Sequence, residues 1–207
     1  MKKGLLITFE GTEGGGKSTQ IQKACAYLES KGKKVLLLRE PGGTRVSEAI
    51  RNIILDKNLT DMKPETELLL YLAARAQIVR EKIEPALKAG KIVICDRYED
   101  STLAYQGYGR GFKSADILAV SRLFVRGTFT PDLTFLLDIH PRLGMKRGGR
   151  HDRMEKQSFV FHEKVYRGFK ALAVKNKMRI KVIDATQSID EVSDQIKGYL
   201  NQCLRIK

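Results

Sequence analysis

Cysteine is scarce in this 207-residue sequence: Cys25, Cys95 and Cys203 stand far apart and form no Cys-x-x-Cys pair. That spacing argues against a disulfide framework and a thiolate zinc site, and makes a reducing cytoplasm the expected setting. Long apolar runs are also missing. The longest are a handful of residues, far short of the roughly 20 that a membrane-crossing helix needs, so no membrane association is expected. Residues 1–4, MKKG, lead straight into a strand-like segment, and no signal-peptide core is expected there. No internal repeat, low-complexity tract or Pro/Gly linker divides the chain, which predicts one domain over residues 1–207. Acidic residues are the minority sign, 24 against 38 Lys and Arg, for a net charge of +14. Such an excess suits nucleic acid or any polyanionic small molecule, and charge alone does not choose. No stretch combines basic and aromatic residues in the manner of an RNA-binding module.

What the sequence does contain is alternation. Nearly continuous apolar runs at 4–9, 34–38, 92–95, 133–138 and 180–183 predict strands buried on both faces of a parallel sheet. Helical patterns fill 17–31, 46–56, 64–89, 114–126, 155–175 and 189–203. Strand–helix alternation of this kind predicts a three-layer α/β fold with right-handed crossovers. One segment is anomalous: RLGMKRGGRHDR, 142–153, carries five Lys or Arg, one Asp and two adjacent glycines. It reads as a mobile basic lid.

After the first strand comes GTEGGGKST: Gly11, Thr12, Glu13, Gly14, Gly15, Gly16, Lys17, Ser18 and Thr19. Gly11-x4-Gly16-Lys17-Ser18 satisfies the P-loop pattern, and it lies where the chemistry needs it, between a strand and a helix. Glycines let several N–H groups turn inward onto phosphate oxygens, and the helix adds its positive end. Lys17 supplies a mobile ammonium and Ser18 a hydroxyl for Mg²⁺. A strand-end carboxylate should face the metal. Asp96, closing KIVICD, fits that role, with Asp138 at the end of LTFLLD as the lower-ranked rival. A signalling GTPase is excluded by the string itself. No D-x-x-G occurs, and the only Asn-Lys pair continues to Arg179 where an N-K-x-D box needs Asp.

Two blocks, REPGGT at 39–44 and DRYEDSTLAYQG at 96–107, resemble the paired signatures of the thymidylate kinases, nucleoside monophosphate kinases that make dTDP. The similarity runs through most of the chain, including LLLYLAARAQ, PDLTFLLD, DRMEKQSF and IDAT. The resemblance implies a P-loop fold with a five-stranded parallel sheet of order 2-3-1-4-5. It implies ATP as donor, Mg²⁺, dTMP as acceptor, and a homodimer with no specific nucleic-acid partner.

It also implies residue roles. Arg97 would bridge the acceptor phosphate and the γ-phosphate, and Arg51 would join it. Tyr71 and Arg75, one helical turn apart, would stack on thymine and hydrogen-bond its O4. Gln106, with Ser101 and Thr102, would take the pyrimidine edge. Tyr105 would fill the sugar's 2′ position and Glu13 would lie by the 3′-hydroxyl. Arg39 and Glu40 would line the mouth. Some members of the family carry an Arg within the P-loop. This chain has Gly14 there, and its cations toward ATP are expected in the lid, at Arg147, Arg150 and Arg153. Two other readings stay open here: a P-loop kinase of another nucleotide or of a deoxynucleoside, and a nucleic-acid-stimulated ATPase.

Overall fold

The computed structural model describes residues 4–124, 130–147 and 152–205. Each of the five apolar runs is a strand of one parallel sheet: β1 Leu5–Glu10, β2 Val35–Arg39, β3 Ile92–Asp96, β4 Leu133–Asp138 and β5 Ile180–Asp184. Their order is β2-β3-β1-β4-β5. β1 is central, pairing Ile7 with Ile94 on one side and with Leu133 on the other.

The uninterrupted apolarity of these strands follows from the layers on either side. Side chains alternate across a strand, so neighbours serve opposite faces. Ile7, Phe9, Ile94 and Phe135 pack with Ile21 and Leu28 of α1 (Lys17–Ser30) and with Ile196 and Leu200 of α9 (Ile189–Leu204). On the opposite face, Leu6, Val93 and Cys95 meet Ile78, Val79 and Leu87. Further along that face, Leu136 and Ile180 meet Leu72 of α3 (Pro64–Ile78) and Phe169 of α8 (Phe159–Lys175). Each such side chain contributes roughly 1.5–3 kcal/mol by leaving water. Because all strands run one way, the carboxyl ends of β1 and β3 emerge together, and the site gathers there.

The remaining helices are α2 Arg45–Leu55, α4 Glu84–Lys88, α5 Glu99–Thr102, α6 Ser114–Phe124 and α7 Pro141–Arg147. Three features differ from the sequence-based expectation. The single helix predicted over 64–89 is broken by a π-helical turn, Val79–Ile83, before α4. Pro85 supplies the reason: it offers no N–H and its ring clashes with the carbonyl a turn earlier, so the backbone widens. The helix predicted from 155 begins at Phe159, where Ser158 caps it by accepting from the Phe161 N–H at 3.2 Å. And the basic segment expected as a mobile lid starts as a helix, α7. No helix among the described residues is long and apolar enough to cross a membrane.

Candidate functional site

The loop after β1 curls because its glycines take backbone conformations that other residues avoid. Gly11, Gly14 and Gly16 all have positive φ, and a β-carbon on Gly11 would meet the Leu137 carbonyl oxygen at 2.5 Å. Position 14 has no room for a side chain, since its β-carbon would fall on the carbonyl oxygen of Gly144 in α7. α7 thus occupies the space an arginine at that position would need. No side chain caps the start of α1, and no acidic residue lies in its first turn. An anion there therefore meets free N–H groups, with no like charge in the helix's own first turn.

Lys17 reaches back across the loop. Its Nζ donates to the carbonyls of Gly11 at 3.1 Å and Thr12 at 2.8 Å. Burial, then the charge of Arg97, depresses its pKa to about 8, even with Glu13, Asp96 and Glu10 nearby. Thr12 is tied to the Ile139 carbonyl at 3.1 Å, whereas Ser18 and Thr19 are exposed at the mouth. Asp96 lines the cleft beside Lys17, and with Ser18 it also lines the adjoining groove. Its Oδ1 is buried without a hydrogen-bond partner. A solitary buried carboxylate oxygen suits a cation that takes its other ligands from phosphates and water, as Mg²⁺ does. Asp138, the rival carboxylate, also has a buried, unpartnered Oδ1, but its Oδ2 is paired with Lys170 at 2.5 Å and it lines neither the cleft nor the adjoining groove.

Arg97 follows Asp96 in the left-handed region, φ 67°, a conformation that costs a non-glycine residue of order 1–3 kcal/mol. The turn directs its guanidinium across the cleft. Nη1 donates to the Gly11 carbonyl at 3.0 Å and to Ser101 Oγ at 3.2 Å, and Nη2 to Glu13 at 3.0 Å. Burial opposes its charge, but Tyr105, Glu13 and Asp96 hold it protonated. Glu13 accepts from Tyr105 Oη at 2.5 Å as well. Burial favours the neutral acid there, yet Arg97 and Lys17 outweigh it and keep the carboxyl below its ordinary range. One more acid was not foreseen. Glu10, at the end of β1, accepts from the Tyr98 N–H at 2.7 Å and Ser101 Oγ at 2.5 Å, and so shapes the turn that carries Arg97. Burial, with Asp100 adding its charge, raises Glu10 to about 8.

The other end of the cleft is formed by α2, α3 and the stretch after α5. Arg75 is 2% exposed and doubly held, by Glu40 at 2.7 Å through Nε and by Thr102 at 2.9 Å through Nη2. Its Nη1 is buried and unpartnered. Glu40, which also lines the cleft, is thus the buried counter-ion of Arg75. Tyr71, one turn earlier on α3, lines the same wall. Tyr105 and Gln106 project from a π-helical segment, Leu103–Gly109, a local widening that often marks functional positions. Arg51 lines the cleft while donating to the Pro41 carbonyl at 2.8 Å. Arg39 also lines it and pairs with Glu48 at 2.9 Å. The cleft holds a cavity of about 270 Å³, near the lower end of the range of small-molecule sites.

The three arginines expected in a lid part company. Arg147 is exposed at the end of α7, with Nη1 on the Ala185 carbonyl at 3.0 Å. Arg150 lies outside the described residues. Arg153, expected near the triphosphate, is instead 7% exposed and turned inward. It pairs with Glu67 at 2.7 Å and donates to the Ile54 carbonyl at 2.8 Å. A buried guanidinium requires a carboxylate, and Glu67 provides it. Sequence reasoning missed Glu67, although it precedes Tyr71 and Arg75 at four-residue steps on one helical face. It also missed Arg110, whose partners come from distant segments, and His162, whose Nδ1 lies 3.7 Å from Glu13.

Comparison with known proteins agrees with this geometry. The family model described as thymidylate kinase matches residues 9–196. The thymidylate kinase of Clostridium novyi (strain NT) is 43% identical, over 97% of this chain and 100% of its own length. That of Deinococcus radiodurans is 46% identical, over 98% of each. A crystal structure of thymidylate kinase from Ehrlichia chaffeensis is 34% identical and superposes with a TM-score of 0.78, over 96% of this chain and 99% of that one.

Proposed function

The chain belongs to the thymidylate kinase family, and on that premise we propose how its residues divide the work of phosphoryl transfer. The activity is that of a nucleoside monophosphate kinase, moving the γ-phosphoryl group of ATP to the 5′-phosphate of dTMP to give dTDP and ADP. An acceptor phosphate oxygen is already anionic, so the residues need to position and neutralise, with no strong base required.

In this reading the loop amides of residues 11–19 and Lys17 hold the triphosphate. Arg97 and Arg51 receive the acceptor phosphate, and Arg97's left-handed turn brings its fork between the two anions. Ser18 and Asp96 would hold Mg²⁺, which when bound supplies charge neutralisation on the phosphate oxygens. Arg147 and Arg150 are the lid cations toward ATP. Glu13 keeps Tyr105 Oη in place at 2.5 Å, and the Tyr105 ring fills the space of a ribose 2′-hydroxyl. Tyr71 stacks on the base, and Arg75 and Gln106 read its edge. The single observation that carries the acceptor assignment is the buried, unpartnered Nη1 of Arg75, in the wall of the cleft that ends at Lys17. A pyrimidine 4-oxo group is an acceptor of the kind that donor lacks, and leaving it unpaired would cost about 1–3 kcal/mol.

A coupled ADP-release assay over dTMP, dUMP, dCMP, dAMP and dGMP tests this directly. The highest kcat/KM should belong to dTMP, and a purine monophosphate used as well as dTMP would refute the acceptor pocket.

We also take the working form to be a homodimer. Large apolar side chains lie outside on α2 (Ile53), α3 (Leu69) and α6 (Leu123 and Phe124), the last two 72% and 65% exposed. Exposed apolar side chains of this kind are what a self-complementary interface would cover. Sedimentation velocity at micromolar concentration should give a species of twice the chain mass. A clean monomer would remove the proposal.

A further inference from the structure

Glu67 opens α3 and is 1% exposed, yet it is surrounded by donors. Its Oε1 accepts from Gln106 Nε2 and from Arg110 Nε, both at 3.0 Å. Its Oε2 accepts from Arg110 Nη2 at 2.8 Å and from Arg153 Nη1 at 2.7 Å. Burial favours the protonated acid, but the hydrogen bonds from Arg110 and Gln106 and the charge of Arg110 outweigh it and keep the carboxyl ionised. An ionised carboxylate can only accept. It therefore dictates which end of the Gln106 amide faces it.

The consequence reaches the cleft. Gln106 is 1% exposed and lines the wall together with Arg75. With its nitrogen committed to Glu67, the oxygen is the end left for a ligand. Arg75 meanwhile has one buried donor, Nη1, without a partner. The wall thus offers one donor and one acceptor. A pyrimidine with a 4-oxo group and an N3–H matches that pair. One with a 4-amino group and an N3 lone pair opposes both.

We propose that Glu67 is a positioning residue that locks the Gln106 amide with Oε1 toward the cleft, and so selects dTMP over dCMP without touching either. The proposal rests on the acceptor pocket assigned above. The surroundings brace the lock. Arg153 is held by the Ile54 carbonyl, Arg110 Nη1 donates to Gln157 at 3.0 Å, and Gln157 returns a bond to the Arg153 carbonyl at 3.1 Å. The segment just after the lid is thereby fastened to the residue that orients the base-reading amide.

Glu67→Gln tests it, because a glutamine at 67 can donate as well as accept and would let Gln106 turn over. The ratio of kcat/KM for dTMP to that for dCMP should fall by about tenfold or more, the worth of one to two net hydrogen bonds, with most of the change in the KM for dTMP. Glu67→Asp keeps an acceptor-only group and should hold the ratio within about threefold of the parent, whatever it costs in stability. If Glu67→Gln lowers both efficiencies by one common factor, Glu67 is merely structural and the proposal fails. A parent protein that does not prefer dTMP to dCMP would instead sink the acceptor pocket itself.

Should Glu67→Gln not fold, the parent protein answers by NMR. The side-chain amide protons of Gln106, identified by their loss in Gln106→Leu, should exchange slowly with water and shift little when dTMP saturates the site. Rapid exchange, or a large shift on dTMP binding, would show the nitrogen facing the cleft and overturn the proposal.

Discussion

Lys17→Ala should lower kcat by about 10²–10³-fold, because a charged donor to the transferring group is lost in a water-poor site. The loss should come without unfolding. Lys17 spends its ammonium on two loop carbonyls and holds a folded-state pKa of about 8 against an ordinary 10.5. Between those values the unfolded chain binds more protons, so this group adds stability as pH rises through that window and is a burden below it. At pH 7 the alanine variant should melt no lower than the parent. The same ammonium sets a pH profile. The kcat/KM for ATP reports the free protein and should decline above about pH 8, whereas kcat, measured with phosphates in place, should stay flat to higher pH. A folded Lys17→Ala protein with parental turnover would remove the assignment of the phosphate loop.

Arg97→Ala should be comparably severe. A single arginine contacting the transferring group is worth about 10³–10⁵ in rate in other phosphoryl-transfer enzymes, and a fall of at least about 10² in kcat is expected here. Charge alone should not rescue it. Nη1 and Nη2 hold the Gly11 carbonyl, Ser101 and Glu13 at once, and a lysine has no such fork. Arg97→Gly separates catalysis from backbone strain: both variants lose the same three hydrogen bonds and Glu13's counter-ion, but glycine relieves the positive φ, so Arg97→Gly should melt higher than Arg97→Ala while being equally inactive. Near-parental turnover by Arg97→Lys would mean that Arg97 acts only as a distant positive charge.

Much of the fold was legible because it rests on local rules. A strand covered on both faces must be apolar at every position, so the five runs stood out, and their observed limits differ from the expected ones by one residue at most. The phosphate loop was legible for a similar reason, since only glycine accepts the conformations it needs, and Asp96 and Arg97 were readable as the end of a strand. Helix limits were less so. Ser158 and Pro85 act through caps and ring clashes that an apolar pattern does not register.

By itself, then, the sequence determined the layered sheet, the phosphate loop and, through its resemblance, the family. Only the tertiary structure decided which charged residue meets which. Glu67 and Arg110 drew no notice along the chain and Arg153 read there as a lid cation toward ATP, and the two arginines lie 43 and 86 positions from the Glu67 they pair with. Their burial arises when α3, the segment after α5 and the chain beyond the lid converge, and no local pattern encodes that meeting. The same holds for Gly14 and Gly144: a β-carbon on Gly14 would fall on the Gly144 carbonyl oxygen, and one on Gly144 on the Glu13 carbonyl oxygen. Local conformational rules act over a few residues, whereas desolvation and charge pairing act across whatever the fold brings together.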